Sequence, residues 1–219
     1  MNKYEICSIE INEDAQIHFE VGLNEFTKLG FTKLLKPYEN SLDDIVKTTR
    51  AFGMATKIHS GQFKQQNKTE PYINHPLRVA LILTDELHKY DVDIVCAALL
   101  HETLEKSSED NSMLEERLKT EFGESVYKIV STVTNPKTSD KREKLLLDEY
   151  FENITKSSLP IRYVKLADHL DTVRSLKKSV QKDKVLRYKE EIQKYIVPIA
   201  QKTDERLLFK LSVALYELK

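Results

Sequence analysis

The chain has 219 residues, which is enough for one main hydrophobic core. Hydrophobic residues make up 40% of it and charged residues 32%, a balance that argues against global disorder. Its 34 Lys and Arg residues nearly cancel its 35 Asp and Glu residues, so the net charge of −1 gives no general attraction for nucleic acid or an anionic membrane. We therefore expect no DNA partner, and any phosphate chemistry must rely on local charge.

Signals for membrane insertion, export and disulfide bonding are missing from the sequence. No apolar run approaches the roughly 18 residues of a membrane span, and the polar, acidic start lacks the regions of a signal peptide. We expect a cytoplasmic protein without a membrane partner. Cys7 and Cys96 lie far apart, which argues against a disulfide framework or a zinc–thiolate site. Cys96, in the apolar run IVCAALL, is predicted to be a core residue.

Residues 1–40 are predicted to form an N-terminal extension. Apolar and polar residues alternate on both sides of the turn-prone residues 12–14, which permits a β-hairpin; an irregular or helical arm is the alternative. From Gly22 to Leu35 the apolar spacing suits a short amphipathic helix, which Pro37 ends. Whether this extension covers a site or joins copies into a homo-oligomer stays open.

Residues 41–219 are predicted to form an all-α domain, a helical bundle. A cap-like Ser41 precedes apolar residues at helical spacing through Ile58. A polar loop follows, then a helix with Pro76 in its first turn and an apolar helix that begins near Asp91. Further helices are expected at about 112–121, 124–134, 139–157, 160–178, 183–200 and 203–218. With only five glycines, the chain offers no Gly-rich phosphate loop, so P-loop and Rossmann folds have no support.

Histidines and carboxylates carry the chemical signal. His101 and Glu102 are adjacent in the apolar segment ALLHETLE, where burial without a partner would be costly and a metal ion would supply that partner. The alternative is a helix end that emerges into solvent. His75 in PYINHP and Asp168 in VKLADHLDTVRSL also lie within or next to apolar runs. This mixture of imidazole and carboxylate suits divalent transition metals.

Taken in order, PYINHP, ALLHETLE and VKLAD resemble the pyrophosphohydrolase branch of the HD superfamily, the RelA/SpoT hydrolase domain and its small Mesh1-like relatives. The resemblance covers roughly residues 45–178 and includes AFGMATKIHSGQFK and TVTNPKT. It implies the all-helical HD bundle. It also implies a metal-dependent phosphohydrolase that removes pyrophosphate, or phosphate, from a nucleotide such as ppGpp or pppGpp.

The resemblance also implies roles for individual residues. The family's metal ligands match His75, His101 and Asp168, and Glu102 stands where the family has Asp. The implied cofactor is a divalent metal, with Mn²⁺ as the first choice. Glu105 matches the Glu of the HDxxED motif, one helical turn after His101, and is the candidate general acid/base. The alternative for Glu105 is an exposed helical residue paired with a Lys.

Several positions depart from the family pattern. Lys106 replaces a second acid, and Thr172 replaces the Asn of LADRLHNMR; we keep Thr172 as a catalytic candidate because its hydroxyl can bond a water or a phosphate. Lys64 and Gln65 stand where the family has an Arg-Lys pair that contacts the nucleotide. The candidate substrate-binding residues are Lys64, Gln65, Lys165 and Arg174. His169 is predicted to be solvated, with a phosphate-facing position as the alternative.

Three functions stay open at this point. The first is the hydrolase, and the second is a nucleotide-binding regulator that keeps the cavity but hydrolyses little, as Gln65, Lys106 and Thr172 suggest. The third is a helical interaction protein without a metal. A ppGpp-like nucleotide is the expected partner for the first two.

Overall fold

The protein is described by a computed structural model over residues 23–64, 67–108, 110–136, 143–177 and 181–218. The elements in chain order are α1 (Glu25–Leu35), α2 (Leu42–Ile58), β1 (Phe63–Lys64), β2 (Asn67–Pro71), α3 (Asn74–Leu81), α4 (Val92–Leu100), α5 (Thr103–Lys106), α6 (Asn111–Phe122), α7 (Glu124–Val133), α8 (Glu143–Lys156), α9 (Leu159–Leu176), α10 (Lys182–Glu191), α11 (Val197–Gln201) and α12 (Glu205–Tyr216). A 3₁₀ turn spans Lys36–Tyr38, and π-helical turns span Ile82–Glu86 and Ile192–Ile196. The all-α fold predicted from the sequence is confirmed.

Local sequence explains where several helices begin and end. Asp91 caps α4 by accepting hydrogen bonds from the backbone N–H groups of Asp93 and Ile94. Asp110 caps α6 in the same way through the N–H of Ser112. Gly123 separates α6 from α7 with a φ of 90°, a backbone conformation that favours glycine. These signals are local, which is why the helix boundaries could be predicted closely.

Helices α4 and α9 form the centre of the bundle. Every side chain from Val95 to Leu100 is fully buried, because α4 contacts α2, α3, α7 and α9 on its different sides. Cys96 is one of these core residues, as predicted. Helix α9 contacts α3, α4, α7 and α12 and is buried over most of its length. None of the helices that the structure describes is long and apolar enough to cross a membrane.

Helix α1 packs closely against the bundle. Leu34 is fully buried, and the ring of Phe31 stacks on that of Phe52 with centroids 4.0 Å apart. A Cβ added at Gly30 would lie 3.0 Å from Cδ2 of Leu77, so glycine allows this close approach. The helix predicted between Gly22 and Leu35 is therefore present and joins the common core. The division of the chain at residue 40 stays a prediction.

A short β-hairpin follows α2, where the sequence predicted only a polar loop. Strands β1 and β2 pair antiparallel, with Phe63 opposite Pro71 and Lys64 opposite Asn67. Phe63 in β1 is 49% exposed, and the sequence NKTEP of β2 lacks the alternation of apolar and polar residues by which a strand is recognised from sequence. The hairpin predicted within the N-terminal extension falls on residues 1–22, outside the described residues.

Candidate functional site

Three of the predicted metal ligands converge at the centre of the bundle. His75 lies in the first turn of α3, His101 follows the last residue of α4, and Asp168 lies on α9. One ligand atom from each can be chosen so that all three atoms lie within 4.8 Å of one another. Nε2 of His75 is 3.3 Å, and Nε2 of His101 3.7 Å, from Oδ1 of Asp168. The two imidazoles thus face one carboxylate from different helices.

The turn after α4 places His101 in the protein interior. Helix α4 ends at Leu100, whose carbonyl accepts a 2.7 Å hydrogen bond from Oγ1 of Thr103. His101 is only 3% exposed. The alternative of a helix end emerging into solvent is therefore wrong, because this end of α4 remains inside the bundle.

Both histidines have their Nδ1 atoms occupied by second partners. Nδ1 of His75 lies 2.7 Å from Oδ2 of Asp171, and Nδ1 of His101 lies 2.8 Å from the carbonyl oxygen of Ala98. The Nε2 atoms are left to face Asp168. This is the arrangement that metal-binding histidines usually have, with one nitrogen held by the protein and the other available to the ion.

Unsatisfied polar atoms show that the cluster fits a cation. Nε2 of His101 and Oε2 of Glu102 are buried and find no hydrogen-bond partner within the described part of the chain. Burial of such atoms without a partner is unfavourable, and a divalent ion would satisfy nitrogen and oxygen donors together. The donor set of imidazole and carboxylate therefore fits a divalent metal.

Glu102 lies at the edge of the cluster. Its Oε2 is 3.8 Å from Nε2 of His75, and its Oε1 accepts a 3.0 Å hydrogen bond from the hydroxyl of Tyr72. The group of three residues with mutually close ligand atoms comprises His75, His101 and Asp168. The role of Glu102 as a fourth ligand stays a prediction.

Charged neighbours shift the pKa values of His75 and Asp168 in the cluster. Burial alone would lower the pKa of His75, but the carboxylates of Asp168 and Asp171 raise it to about 9. Burial also opposes the charge of Asp168, yet Lys165 and the two histidines hold the pKa of its carboxyl well below the usual range. The pKa shifts of these two residues thus favour their charged forms, because each is stabilised by groups of opposite charge.

Glu105 and Lys165 meet at Asn135, beside the cluster. Glu105, which is half-buried, accepts a 2.6 Å hydrogen bond from the backbone N–H of Asn135, and burial raises the pKa of its carboxyl. Nζ of Lys165 lies 2.9 Å from Oδ1 of Asn135, 3.3 Å from the carbonyl of Val133 and 3.5 Å from Oδ2 of Asp168. With 2% exposure, Lys165 is a buried cation that faces the carboxylate of Asp168. The catalytic role of Glu105 and the substrate-binding role of Lys165 stay predictions.

The other predicted site residues are less closely grouped. Thr172 is half-buried on α9 and interacts with the hydroxyl of Tyr188. Arg174, in the last turn of α9, forms a bidentate pair with Glu86 at 2.6 and 3.0 Å, so contact with a phosphate would require this pair to open. The backbone of Lys64 lies in β1, and Gln65 lies outside the described residues. Their functional roles also stay predictions.

Residues around the cluster were missed or misread from the sequence. Asp171 was not identified as the partner of His75, nor Arg78 as the partner of Asp171, although Asp171 follows Asp168 by three residues and so shares its helix face. That spacing is a signal that could have found it. His169, predicted to be solvated, is buried, and its Nδ1 lies 2.7 Å from the hydroxyl of Tyr188.

Comparisons with known proteins agree on one family of relatives. The guanosine-3′,5′-bis(diphosphate) 3′-pyrophosphohydrolase MESH1 of Xenopus tropicalis is 37% identical over 135 residues, which cover 62% of this chain and 72% of that protein. The human MESH1 is 37% identical over 126 residues, which cover 58% and 67%. A guanosine-3′,5′-bis(diphosphate) 3′-pyrophosphohydrolase of Haemophilus influenzae is 36% identical over 156 residues, which cover 68% of this chain but only 21% of that longer protein.

A solved structure gives the same relationship in three dimensions. It belongs to a metazoan ortholog of SpoT that hydrolyses ppGpp, and it matches this chain with a TM-score of 0.69 and 27% identity over 79% of this chain and 97% of the other. The family model described as "HD domain" matches residues 51–204, a range that contains His75, His101 and Asp168. Because that model spans well over half of the chain, this protein belongs to the HD domain family.

Proposed function

We propose that this protein is a metal-dependent phosphohydrolase that removes pyrophosphate from a ppGpp-like nucleotide. The observation that carries the proposal is the convergence of His75, His101 and Asp168, with both Nε2 atoms turned inward and Glu105 beside them. The relatives that are 3′-pyrophosphohydrolases support the substrate class. A cytoplasmic location, expected from the sequence, is part of the proposal.

The proposed cofactor is Mn²⁺. His75, His101 and Asp168 would hold it, with Glu102 as the proposed fourth ligand, because nitrogen and oxygen donors together suit this ion. When bound, the ion supplies the Lewis acidity that makes water a nucleophile at neutral pH and offsets the charge of the phosphates.

The remaining steps are assigned to the chain's own residues. Water attacks the phosphorus that is joined to the 3′ oxygen, and the bond between this phosphorus and the 3′ oxygen breaks. The pyrophosphate is released with the oxygen of the water, and the 3′ oxygen takes a proton. The reaction of ppGpp with water thus gives GDP and pyrophosphate. Glu105 would take the proton of the attacking water and deliver one to the leaving oxygen, a task to which its raised pKa is suited. Thr172 would orient a water or a phosphate oxygen, and Lys64, Gln65, Lys165 and Arg174 would contact the nucleotide.

One observation favours a second function, a nucleotide-binding regulator with little turnover. Nζ of Lys106 lies 5.5 Å from the centre of the Tyr72 ring, and the hydroxyl of Tyr72 bonds Glu102. A cation therefore stands beside the cluster where the resembling hydrolases have a second acid. Such a charge attracts phosphates but cannot accept a proton while it is ionised.

The hydrolysis assay separates these functions. Purified protein with Mn²⁺ is incubated with ppGpp, with pppGpp, and with GTP as a control that lacks the 3′-pyrophosphate, while pyrophosphate release and the nucleoside products are followed. The hydrolase proposal predicts GDP from ppGpp, GTP from pppGpp and no reaction of GTP. A melting temperature raised by ppGpp without turnover would instead favour the regulator. Absence of any response to metal or nucleotide would favour the interaction protein.

A further inference from the structure

We propose that Asp171 is the positioning residue that fixes the His75 imidazole for metal binding, and that Arg78 holds the Asp171 carboxylate in place. The inference rests on the proposed function, since it takes His75 as a metal ligand. Two side chains, Asp171 and then Arg78, would fix the orientation of His75. Together they extend from the cluster of His75, His101 and Asp168 towards the β-hairpin.

The contact between Asp171 and His75 determines which nitrogen of the ring is free. Asp171 lies on α9 with 3% of its surface exposed, and its Oδ2 is 2.7 Å from Nδ1 of His75. An ionised carboxylate can only accept hydrogen bonds, so Nδ1 must carry a proton. Nε2 is then the atom left for an ion, and it points to Oδ1 of Asp168 at 3.3 Å.

Arg78 holds the other side of the Asp171 carboxylate. Its Nε donates to Oδ1 at 2.6 Å and its Nη2 to Oδ2 at 3.2 Å, a fork geometry that fixes the plane of the carboxylate. Its Nη1 donates to Glu70, at the end of the hairpin. Both oxygens of Asp171 are thus held from one side, which leaves the carboxylate a single orientation towards His75.

The two histidines differ in what orients them. Nδ1 of His101 is held by the backbone carbonyl of Ala98, a partner that is fixed by helix α4 itself. His75 depends on a side chain from another helix, so its orientation can be removed by a single substitution. Partners of this kind usually change metal affinity or activity by 10- to 100-fold when they are mutated, roughly the range expected here.

Mn²⁺ affinity of the full chain gives the direct test. Free Mn²⁺ is measured by electron paramagnetic resonance for the wild type, Asp171→Asn and the control Asp93→Asn. Asp93 also pairs with a cation on a neighbouring helix, Lys47, but lies on α4 about 12 Å along the helix axis from His101. We expect the dissociation constant to rise by about 10- to 100-fold in Asp171→Asn and to stay at the wild-type value in Asp93→Asn.

Further measurements separate positioning from a general loss of structure. In the hydrolysis assay, Asp171→Asn should need about 10- to 100-fold more Mn²⁺ for half-maximal rate, with kcat recovered at saturating Mn²⁺, which a merely structural defect would not show. Arg78→Gln keeps both His75 and Asp171 and should weaken Mn²⁺ binding less than Asp171→Asn does. Circular dichroism and melting temperatures of all variants report folding. If Asp171→Asn does not fold, Arg78→Gln decides.

The outcomes distinguish this inference from the proposed function. If Asp171→Asn folds and its Mn²⁺ affinity is unchanged, the positioning role is overturned, even if ppGpp is hydrolysed. If Asp171→Asn does not fold, an unchanged Mn²⁺ affinity of Arg78→Gln overturns it instead. A wild type that binds Mn²⁺ without releasing pyrophosphate overturns the proposed hydrolase function. The ratio of the Mn²⁺ dissociation constants of Asp171→Asn and the wild type still decides the role of Asp171. A wild type that does not bind Mn²⁺ overturns both.

Discussion

The backbone N–H of Asn135 donates a 2.6 Å hydrogen bond to Oε1 of Glu105 and so ties this carboxylate to the segment after α7. The contact holds Glu105 beside the cluster of His75, His101 and Asp168. Burial raises the pKa of its carboxyl, which brings its proton exchange closer to neutral pH. Position and pKa together suit Glu105 for proton transfer.

Glu105→Gln should lower kcat for ppGpp hydrolysis by about 10²- to 10⁴-fold, because the amide cannot exchange a proton with the substrate. Mn²⁺ affinity should be unchanged, since Glu105 is not among the three residues of the cluster. Glu121→Gln, which alters a surface Glu paired with Arg117, serves as the control. Wild-type turnover by Glu105→Gln would rule out its role as the acid/base.

In the absence of metal, Lys165→Met should lower the free energy of unfolding by about 3–5 kcal/mol, the range seen when one partner of a buried ion pair is removed. The change leaves Asp168 without its buried cation and removes the donor to Asn135 and Val133. Urea unfolding with and without Mn²⁺ measures this, and the ion should recover part of the loss by replacing the missing positive charge. A variant as stable as the wild type would contradict the charge-balancing role of Lys165.

Leu34→Ala should lower the free energy of unfolding by about 2–5 kcal/mol, because a fully buried side chain leaves a cavity between α1 and the bundle. Leu29→Ala on the same helix changes a residue that is 64% exposed, and should shift stability by no more than about 0.5 kcal/mol. Denaturant unfolding of the two variants tests whether α1 belongs to the core. Equal, small effects would show that it does not.

Glu86 should make stability depend on pH. Although burial opposes its charge, Arg174 and Lys210 lower the pKa of its carboxyl in the folded protein. A lowered folded-state pKa means that the stabilisation is present above the unfolded-state pKa of about 4.3 and is lost as the pH falls through the folded value. Glu86→Gln should therefore cost about 0.5–1 kcal/mol at pH 7 and progressively less below pH 4. A difference in unfolding free energy that stays constant with pH would contradict this.

Local signals made most of the fold predictable. Helix α4 combines an Asp91 cap with a run of apolar residues, so both its start and its burial could be predicted. The hairpin strand Asn67–Pro71 has the sequence NKTEP, which lacks apolar alternation, and its pairing with β1 is made by the backbone. Nothing in such a segment distinguishes a strand from a loop.

Only those site residues that lie in recognisable sequence motifs could be predicted. His75, His101 and Asp168 stand in motifs, and the structure brings these three together. The contact of His75 with Asp171 joins residues 96 positions apart. The spacing of Asp171 from Asp168 indicates that both lie on one face of α9, but one sequence does not show which of them contacts His75. The same holds for His169, whose burial depends on Phe151 and Tyr188 from two other helices.

The most direct test of the central claim compares the wild type with a His101→Ala/Asp168→Ala variant, measuring Mn²⁺ binding and pyrophosphate release from ppGpp on the same samples. The wild type should bind Mn²⁺ and release pyrophosphate, and chelation should stop the reaction. The variant should do neither while keeping its helical circular dichroism. Hydrolysis by the variant at the wild-type rate, or by the wild type in excess chelator, would contradict a metal-dependent site at these residues.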